Sequence, residues 1–215
     1  MRIARLEPPR GRWSHQRVVF ADGTRLRVNP AALAALGLAA GDEIDAETVQ
    51  ALRLQDTIAG ARLYAQRLLA VRPRSRHELL TRLRLRRVPP AVCETILEEL
   101  EHDGLLDDAR FARLWLESRL AHRPSGAVRL RAELRQKGVD RAVIDGVIAA
   151  RLQPADETAL ALRVARGLAR RYRSADRKTA FRRLAGALER RGFSTAAIVQ
   201  TLSHVLGTAP DAESP

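Results

Sequence analysis

Residues 79–97 read LLTRLRLRRVPPAVCETIL, and their pattern of apolar positions returns twice further along the chain. With an offset of 51 it is found in residues 130–148, LRAELRQKGVDRAVIDGVI. A further offset of 54 gives residues 184–202, LAGALERRGFSTAAIVQTL, in which Thr201 is the polar departure from the pattern. A period near 50 residues with helical apolar spacing predicts stacked helical modules rather than one globular core.

The residues that punctuate the helices repeat with the same period. Arg72-Pro73 and Arg123-Pro124 are 51 residues apart, and each is expected to end a helix because a residue before proline avoids the α region. Ser75 and Glu78 match a capping box, and Gly104 supplies a helix end. The sequence therefore predicts a mostly α fold, with three tandem three-helix modules in an elongated, curved array.

A small β-rich head is predicted before the modules. Residues 17–20 and 25–28 flank the turn signal Ala-Asp-Gly-Thr and predict a hairpin, to which residues 3–6 add a third strand. Asn29 and Pro30 are expected to begin a short helix. The predicted divisions are the head at residues 1–50, modules at 51–107, 108–154 and 155–207, and a disordered tail at 208–215.

The chain carries a formal net charge of +13, most of it in the second half. Such a field attracts polyanions, although the preference for arginine over lysine also fits a GC-rich genome. No apolar run is long enough to span a membrane, no secretory signal is found, and the single cysteine fits a reducing, cytoplasmic setting.

Residues typical of catalysis are not grouped in the sequence. There is no glycine-rich phosphate loop, and the five histidines are scattered. Cys93 falls in the column of Ile144 and Ile198 and is expected to be a core residue. The acidic stretch at residues 94–108 fits the solvent face of a helix followed by a helix cap better than a cation site. We expect no enzyme, no metal and no cofactor.

Basic residues provide the candidate binding surface for DNA or a filament. Arg163, Arg166, Arg170 and Arg173 are spaced 3, 4 and 3 apart, which places them on one helix face, with Leu160, Val164 and Leu168 on the other. Arg177, Lys178, Arg182 and Arg183 extend this patch. Arg84 shares a repeat column with Arg135, and Arg86 shares one with Lys137 and Arg191. For Arg86, Lys137 and Arg191 the alternative is a helix C-terminus that favours cations.

Three motifs, in order, resemble the RecX family of bacterial recombination regulators. They are residues 68–79 (LLAVRPRSRHEL), residues 104–112 (GLLDDARFA) and residues 134–139 (LRQKGV). Residues 36–44 are similar to the N-terminal extension of longer members. The central motif is interpreted as a structural joint, in which Gly104 turns the chain, Leu105 and Leu106 plug the joint, Asp107 or Asp108 caps, and Phe111 anchors the next helix.

The resemblance implies a negative modulator of the RecA recombinase. It implies binding in the groove of the RecA–DNA filament and restriction of filament growth, ATP hydrolysis, strand exchange and co-protease activity. A monomer contacting DNA mainly through phosphates is expected. Two alternatives stay open. One is a DNA-binding regulator that acts without RecA, in which helices at residues 75–87 and 90–101, joined by Arg87-Val88-Pro89, form a helix-turn-helix. The other is an enzyme that cleaves nucleic acid. One departure is Arg87, which stands where the other modules have Gly138 and Gly192, so the first module's second helix is expected to end differently.

Overall fold

The computed structural model describes residues 1–8, 15–172 and 175–206. Within these ranges there are three strands, β1 (Ile3–Glu7), β2 (Gln16–Phe20) and β3 (Arg25–Val28). The α-helices are α1 (Pro30–Ala35), α2 (Ala46–Val71), α3 (Arg76–Leu85), α4 (Pro90–His102), α5 (Asp108–His122), α6 (Ala127–Gln136), α7 (Arg141–Arg151), α8 (Pro154–Ala169), α9 (Arg177–Glu189) and α10 (Thr195–Leu206), and a 3-10 turn follows α8 at Arg170–Tyr172. The predicted mostly α fold with a small β-rich head is confirmed.

The head is an antiparallel sheet in the order β1-β2-β3, so both the hairpin and the third strand are confirmed. Val18 on the central strand lies opposite Leu6 on β1 and Leu26 on β3. Asn29 caps α1 by accepting the Ala31 amide at 3.0 Å. The sheet buries its apolar face against α1 and the start of α2, in a cluster that includes Leu52.

Helix α2 serves two hydrophobic clusters. Asp45 caps it by accepting the Thr48 amide at 2.7 Å. Leu52 lies in the cluster of the head, whereas Ala61 and Ala65 lie in the next cluster, with α3 and α4. The predicted boundary between residues 50 and 51 therefore falls inside a continuous helix, and the division of the chain into head, modules and tail stays a prediction. Gly207 and the predicted tail lie outside the described residues.

The repeated apolar columns build three separate clusters. The first contains Leu79, Leu83 and Cys93. The corresponding residues of the second copy pack with α5, and those of the third pack with α8. One column is an exception, because the alanines at 91, 142 and 196 are exposed. Three-helix modules α2–α3–α4, α5–α6–α7 and α8–α9–α10 account for the period of the sequence.

The expectation that the first module's second helix ends differently is wrong. Arg87 has φ 59°, close to the 73° of Gly138 and the 72° of Gly192. In each turn the following amide donates to the carbonyl five residues earlier, Val88 to Leu83, Val139 to Leu134 and Phe193 to Leu188, at 3.3, 3.2 and 3.3 Å. The bond from Val88 to Leu83 holds Arg87 in a left-handed conformation, which costs a non-glycine residue about 1–2 kcal/mol.

The chain divides into two compact units. Unit 1 holds residues 1–74 and 78–106, and unit 2 holds residues 75–77 together with the chain from Asp107 onward. Inside unit 2, the start of α6 packs on the turn between α9 and α10. Gly126 donates its amide to the Arg191 carbonyl at 2.9 Å. A Cβ at Gly126 would lie 2.2 Å from the Gly192 oxygen, so this close approach requires glycine.

A second contact between a helix start and a turn lies within unit 2, where residues 75–77 pack on the turn between α6 and α7. The Ser75 hydroxyl donates to the Lys137 carbonyl at 2.5 Å, and the Arg76 amide donates to Asp108 Oδ1 at 2.7 Å. A Cβ at Gly138 would lie 2.3 Å from the His77 Cβ. Gly138, like Gly192, therefore meets two requirements, a left-handed backbone and room for the start of a helix.

Candidate functional site

Three of the four arginines predicted to form the stripe in the third module lie together. Arg163 and Arg166 are exposed on α8, and Arg170 is exposed at the start of the 3-10 turn. All three line one shallow depression of about 690 Å³. The helix ends at Ala169, so the stripe does not continue on one helix as the spacing suggested, and Arg173 lies outside the described residues.

The buried face of α8 is centred on other residues than the predicted Leu160, Val164 and Leu168. Ala161 and Ala165 are fully buried, and Leu160, Val164 and Leu168 pack at the edge of the same cluster. Small residues lie at the centre because α10 packs closely on this face. The predicted division of α8 into an apolar face and a basic face is therefore correct, with its apolar centre shifted by one position.

A groove on unit 2 gathers arginines from four parts of the chain. It has a volume of about 690 Å³ and lies between the end of α5, helix α6, helix α8 and the α9–α10 turn. We call it the arginine groove, and its arginines are Arg119, Arg123, Arg129, Arg163, Arg171, Arg190 and Arg191. Glu133 is the only acidic residue among the described residues that line it. The groove lining therefore carries an excess of positive charge, which attracts anions.

Glu133 holds two of these arginines in place. Its carboxylate accepts from Arg119 Nε at 2.7 Å, from Arg129 Nε at 3.1 Å and from Trp115 Nε1 at 3.2 Å. Burial acts to raise the pKa of the Glu133 carboxyl, but the hydrogen bonds from Arg129, Arg119 and Trp115 outweigh it and hold the pKa below its ordinary value. Glu133 is therefore ionised at neutral pH.

Two other predicted cations lie on aromatic rings at equivalent places in their modules. The Arg86 guanidinium is 3.8 Å from the centre of the Tyr64 ring, and Lys137 Nζ is 4.9 Å from that of Trp115. Tyr64 and Trp115 are 51 residues apart, as are Arg86 and Lys137. These contacts give both cations a packing role in their own module. Arg191 donates to the Ala187 carbonyl at 3.1 Å, which agrees with the alternative that it caps a helix end.

The remaining predicted residues are exposed on single helices. Arg84 lies on α3 of unit 1 and Arg135 on α6 of unit 2. Arg177, Lys178, Arg182 and Arg183 are exposed on α9, where the Arg183 guanidinium carbon is 5.6 Å from the centre of the Tyr172 ring. The structure assigns none of these six side chains to the arginine groove.

The predicted structural joint at residues 104–111 is only partly as expected. Gly104 has φ 67° and ends α4, Asp107 caps α5 by accepting the Arg110 amide at 2.8 Å, and Phe111 is buried. Leu106 is buried with the first module's core. Leu105 does not plug the joint, because the residue is 51% exposed after the left-handed turn at Gly104. Asp108 accepts the amide of Arg76.

Unit 1 contains a larger depression of about 1030 Å³ beside α2. Its charged groups are of both signs and several are already paired. Asp56 accepts the Asn29 amide at 2.5 Å, and Arg62 donates to Glu99. Because the described residues of its lining include three arginines and two carboxylates, this depression has a smaller excess of positive charge than the arginine groove and is a weaker candidate.

The described residues show no metal-binding arrangement. Within the three described ranges no group of three or more histidine, cysteine or acidic side chains is placed to hold a metal ion. None of the described helices is long and apolar enough to cross a membrane. Cys93 is fully buried beside Ile96 and Leu97, and burial raises the pKa of its thiol, as expected for a core residue.

Sequence reasoning missed most of the arginine groove. The sequence marks Arg123 only as the residue that ends a helix before Pro124, and it gives no sign that Arg119, Arg129, Arg171 and Arg190 line a common surface. They come from four separate segments: Arg119 and Arg123 at the end of α5, Arg129 on α6, Arg171 after α8 and Arg190 after α9. No single helical face contains them all. The available signal was the high arginine content of residues 119–191, which does not show which side chains converge.

Comparisons with known proteins agree on one family. Residues 61–100 match the family model for the first three-helix domain of RecX, and residues 107–148 match that for the second. The chain is 41% identical over 144 residues to regulatory protein RecX of Thermobifida fusca, covering 65% of this chain and 75% of that relative. It is 39% identical over 155 residues to the protein of the same name from Streptomyces coelicolor, covering 71% of this chain and 80% of that relative.

Solved structures show the same fold. A crystal structure of regulatory protein RecX superposes with a TM-score of 0.80 at 24% identity, over 94% of this chain and 98% of that one. RecX from Lactobacillus salivarius gives a TM-score of 0.66 at 19% identity, over 69% of this chain and 96% of that one. Because the relatives at about 40% identity are matched over three quarters or more of their length, this chain belongs to the RecX family.

Proposed function

We propose that this protein is a non-enzymatic regulator that binds the RecA–DNA filament and restrains it. It limits filament growth, ATP hydrolysis, strand exchange and co-protease activity. It acts as a cytoplasmic monomer, lies in the filament groove and contacts DNA mainly through phosphates. The observation that carries the proposal is the identity of about 40% to relatives named regulatory protein RecX, matched over most of their length.

The charge distribution of unit 2 supports a polyanionic partner. Arg163 and Arg166 are exposed on α8, and Arg163 lines both the depression along α8 and the arginine groove. Guanidinium groups bind phosphate with paired hydrogen bonds. Arginines grouped in this way attract the DNA of a filament through long-range electrostatics and then hold its phosphates.

The alternative of a helix-turn-helix regulator is less well supported. In unit 2 the turns between the second and third helices of both modules are packed against the start of another helix. These two turns are therefore not free to support a recognition helix. The helix pair of the alternative, α3 and α4 joined by Arg87-Val88-Pro89, is one copy of the same unit, and a unit that recurs three times is typical of stacked modules. The repeated unit is therefore better explained as a packing element.

The decisive experiment measures DNA-dependent ATP hydrolysis and strand exchange by the cognate RecA with increasing amounts of this protein. We expect inhibition when the protein is present at fewer copies than RecA. No effect on either reaction at a large excess would overturn the proposal. A sharp consensus in a selection of binding sites from random duplex DNA, without RecA, would favour the alternative regulator.

A charge-matched pair of variants tests the role of α8. Replacing Arg163, Arg166 and Arg170 with glutamine should weaken filament binding and lower its salt dependence, by about 0.7–0.9 in log–log slope for each phosphate that is no longer bound. The control replaces three exposed arginines of unit 1, Arg25, Arg27 and Arg53, and removes the same charge. Equal effects of both triple variants would show that only net charge matters.

A further inference from the structure

The arginine groove carries more positive charge than its own carboxylate offsets. Glu133 binds Arg119 and Arg129. In the part of the chain that the structure describes, Arg123, Arg163 and Arg171 are exposed and form no ion pair. Arginines crowded on the walls of one groove repel each other unless anions lie between them. This arrangement therefore favours a ligand with several negative charges in a row.

The shape and lining of the groove indicate the chemistry of that ligand. No phenylalanine, tyrosine or tryptophan is among its described lining residues, so stacking of bases on aromatic rings does not contribute. The arginines come from the end of α5, from α6, from α8 and the 3-10 turn that follows it, and from the α9–α10 turn. They can therefore reach several anionic groups rather than one. The groove has a volume of about 690 Å³, which is typical of sites for small ligands. It therefore accommodates a short stretch of one sugar-phosphate chain rather than the full width of a duplex.

Glu133 occupies a position in which it competes with such a ligand. Its side chain is 16% exposed, and it accepts from Arg119 at 2.7 Å and from Arg129 at 3.1 Å. A carboxylate and a phosphate use the same guanidinium donors. A phosphate that enters this end of the groove must therefore share or displace the hydrogen bonds of Glu133 and also meets its negative charge.

We propose that the arginine groove binds the phosphate backbone of one nucleic-acid strand and that Glu133 is a built-in competitor that limits the affinity. The proposal rests on the proposed function for its nucleic-acid partner, and it adds the site, the strand and the limiting residue. Because the contacts are to the backbone, binding is independent of base sequence. The competitor keeps binding weak enough for the strand to be released.

The test uses the full chain without RecA and a fluorescently labelled oligothymidine, with binding measured by anisotropy over a range of salt concentrations. Glu133→Gln keeps the shape and one oxygen acceptor but removes the charge. We expect it to tighten binding about five-fold, the effect of removing one unit charge about 4 Å from a ligand charge at high dielectric. The matched control is Glu117→Gln, which changes the same charge at an exposed position of α5 outside the groove.

A second pair of variants tests the groove itself. Arg163→Gln combined with Arg171→Gln should weaken binding and lower the salt slope by about 0.7 for each single-strand phosphate that is no longer bound. Arg113→Gln combined with Arg141→Gln removes two exposed arginines that do not line the groove, and it should have a smaller effect. Circular dichroism confirms that each variant is folded.

Several outcomes would overturn the inference. If Glu133→Gln leaves binding unchanged or weakens it, Glu133 is only a structural clamp. If the Arg163 and Arg171 variant keeps its affinity and slope, the groove is not the site. Duplex DNA or polyglutamate that competes better than the single strand would contradict the proposed ligand. If the groove binds the oligonucleotide but the protein has no effect on RecA, only the proposed function is contradicted. If the protein inhibits RecA but the groove variants bind the oligonucleotide normally, only this inference is contradicted.

Discussion

The backbone amide of Ala127 donates a hydrogen bond to Oε1 of Glu157, with 2.7 Å between the two atoms. Glu157 is 6% exposed, and its carboxylate also accepts from the Ser194 hydroxyl at 2.8 Å and the Ser194 amide at 3.3 Å. One residue of α8 thus caps α6 and holds the start of α10. A buried carboxylate is stable there because the N-termini of both helices supply donors and a favourable dipole.

Replacing Glu157 with alanine should destabilise unit 2 strongly. The substitution removes the hydrogen bonds of a buried charged group and leaves the amide of Ala127 without its acceptor, a loss of roughly 2–3 kcal/mol. Urea unfolding followed by circular dichroism measures this change in the free energy of unfolding. Asp156→Ala, at the exposed neighbouring position, is the control and should change stability by only a few tenths of that amount. Equal stability of the two variants would contradict a capping role for Glu157.

Substitution of Gly126 by alanine should also destabilise the protein. The added Cβ would lie 2.2 Å from both the Gly192 oxygen and the Phe193 Cα, so the backbones must separate and their hydrogen bonds weaken. Gly146→Ala provides a contrast, since its Cβ meets nothing within 4 Å. Alanine at that helical position should stabilise by about 0.5–1 kcal/mol. The two variants should therefore shift the thermal midpoint in opposite directions, and a common direction would be inconsistent with the close approach.

Arg87→Gly should stabilise the first module. Arginine at φ 59° is strained, whereas glycine adopts this conformation readily. After the greater flexibility of glycine in the unfolded chain is included, we expect a gain of roughly 0.5–1 kcal/mol. Gly138→Arg, at the equivalent turn, should instead destabilise, because a Cβ there would lie 2.3 Å from the His77 Cβ. Thermal melting of both variants tests this pair, and a loss of stability in Arg87→Gly would count against backbone strain.

Thr201→Val should stabilise the third module. Thr201 is fully buried, and within the described part of the chain its hydroxyl has no hydrogen-bond partner. The equivalent residues in the other modules are Ile96 and Val147. Removing a buried unsatisfied hydroxyl is worth about 1 kcal/mol or more. Thr201→Ser, which keeps the hydroxyl and loses a methyl group, should destabilise, and a stabilising serine would argue against this explanation.

The contribution of Glu133 to stability should depend on pH in a definite direction. Its pKa in the folded protein lies below the ordinary value, so the ionised form favours folding. That contribution is complete above the ordinary pKa and is lost as the pH falls through the folded-state pKa. The difference in unfolding free energy between the native protein and Glu133→Gln should therefore shrink on acidification to about pH 3. A difference that stays constant over this range would contradict the shift.

The sequence was sufficient to predict the repeated cores. Leu79, Leu130 and Leu184 are fully buried in equivalent places, because helical spacing alone decides which residues face inward. The same spacing predicts burial of the alanines at 91, 142 and 196, but all three are exposed. Alanine is small and adds little to burial, so its presence in an apolar column does not show that the column faces the core.

Other features depended on contacts between distant segments. The turn at Arg87 could not be predicted, because residue type alone does not show that a hydrogen-bonded turn can hold arginine in a left-handed conformation. Gly138 and Gly192 follow the ends of α6 and α9, but their contacts with His77 and Arg129 could not be predicted from the sequence. The arginine groove likewise depends on how α5, α6 and α8 pack, which no local pattern records.

The continuity of α2 has a consequence for how the N-terminal region unfolds. One rod of 26 residues contributes Leu52 to the interior beneath the sheet and Ala65 to the interior of the next bundle. Melting of the sheet would leave the first turns of this rod without a partner, and helical turns that lack packing fray readily in water. Fraying would then travel along the rod toward the bundle. The sheet and the first helical bundle are thus coupled through α2. A proteolytic cut within α2 would therefore destabilise both.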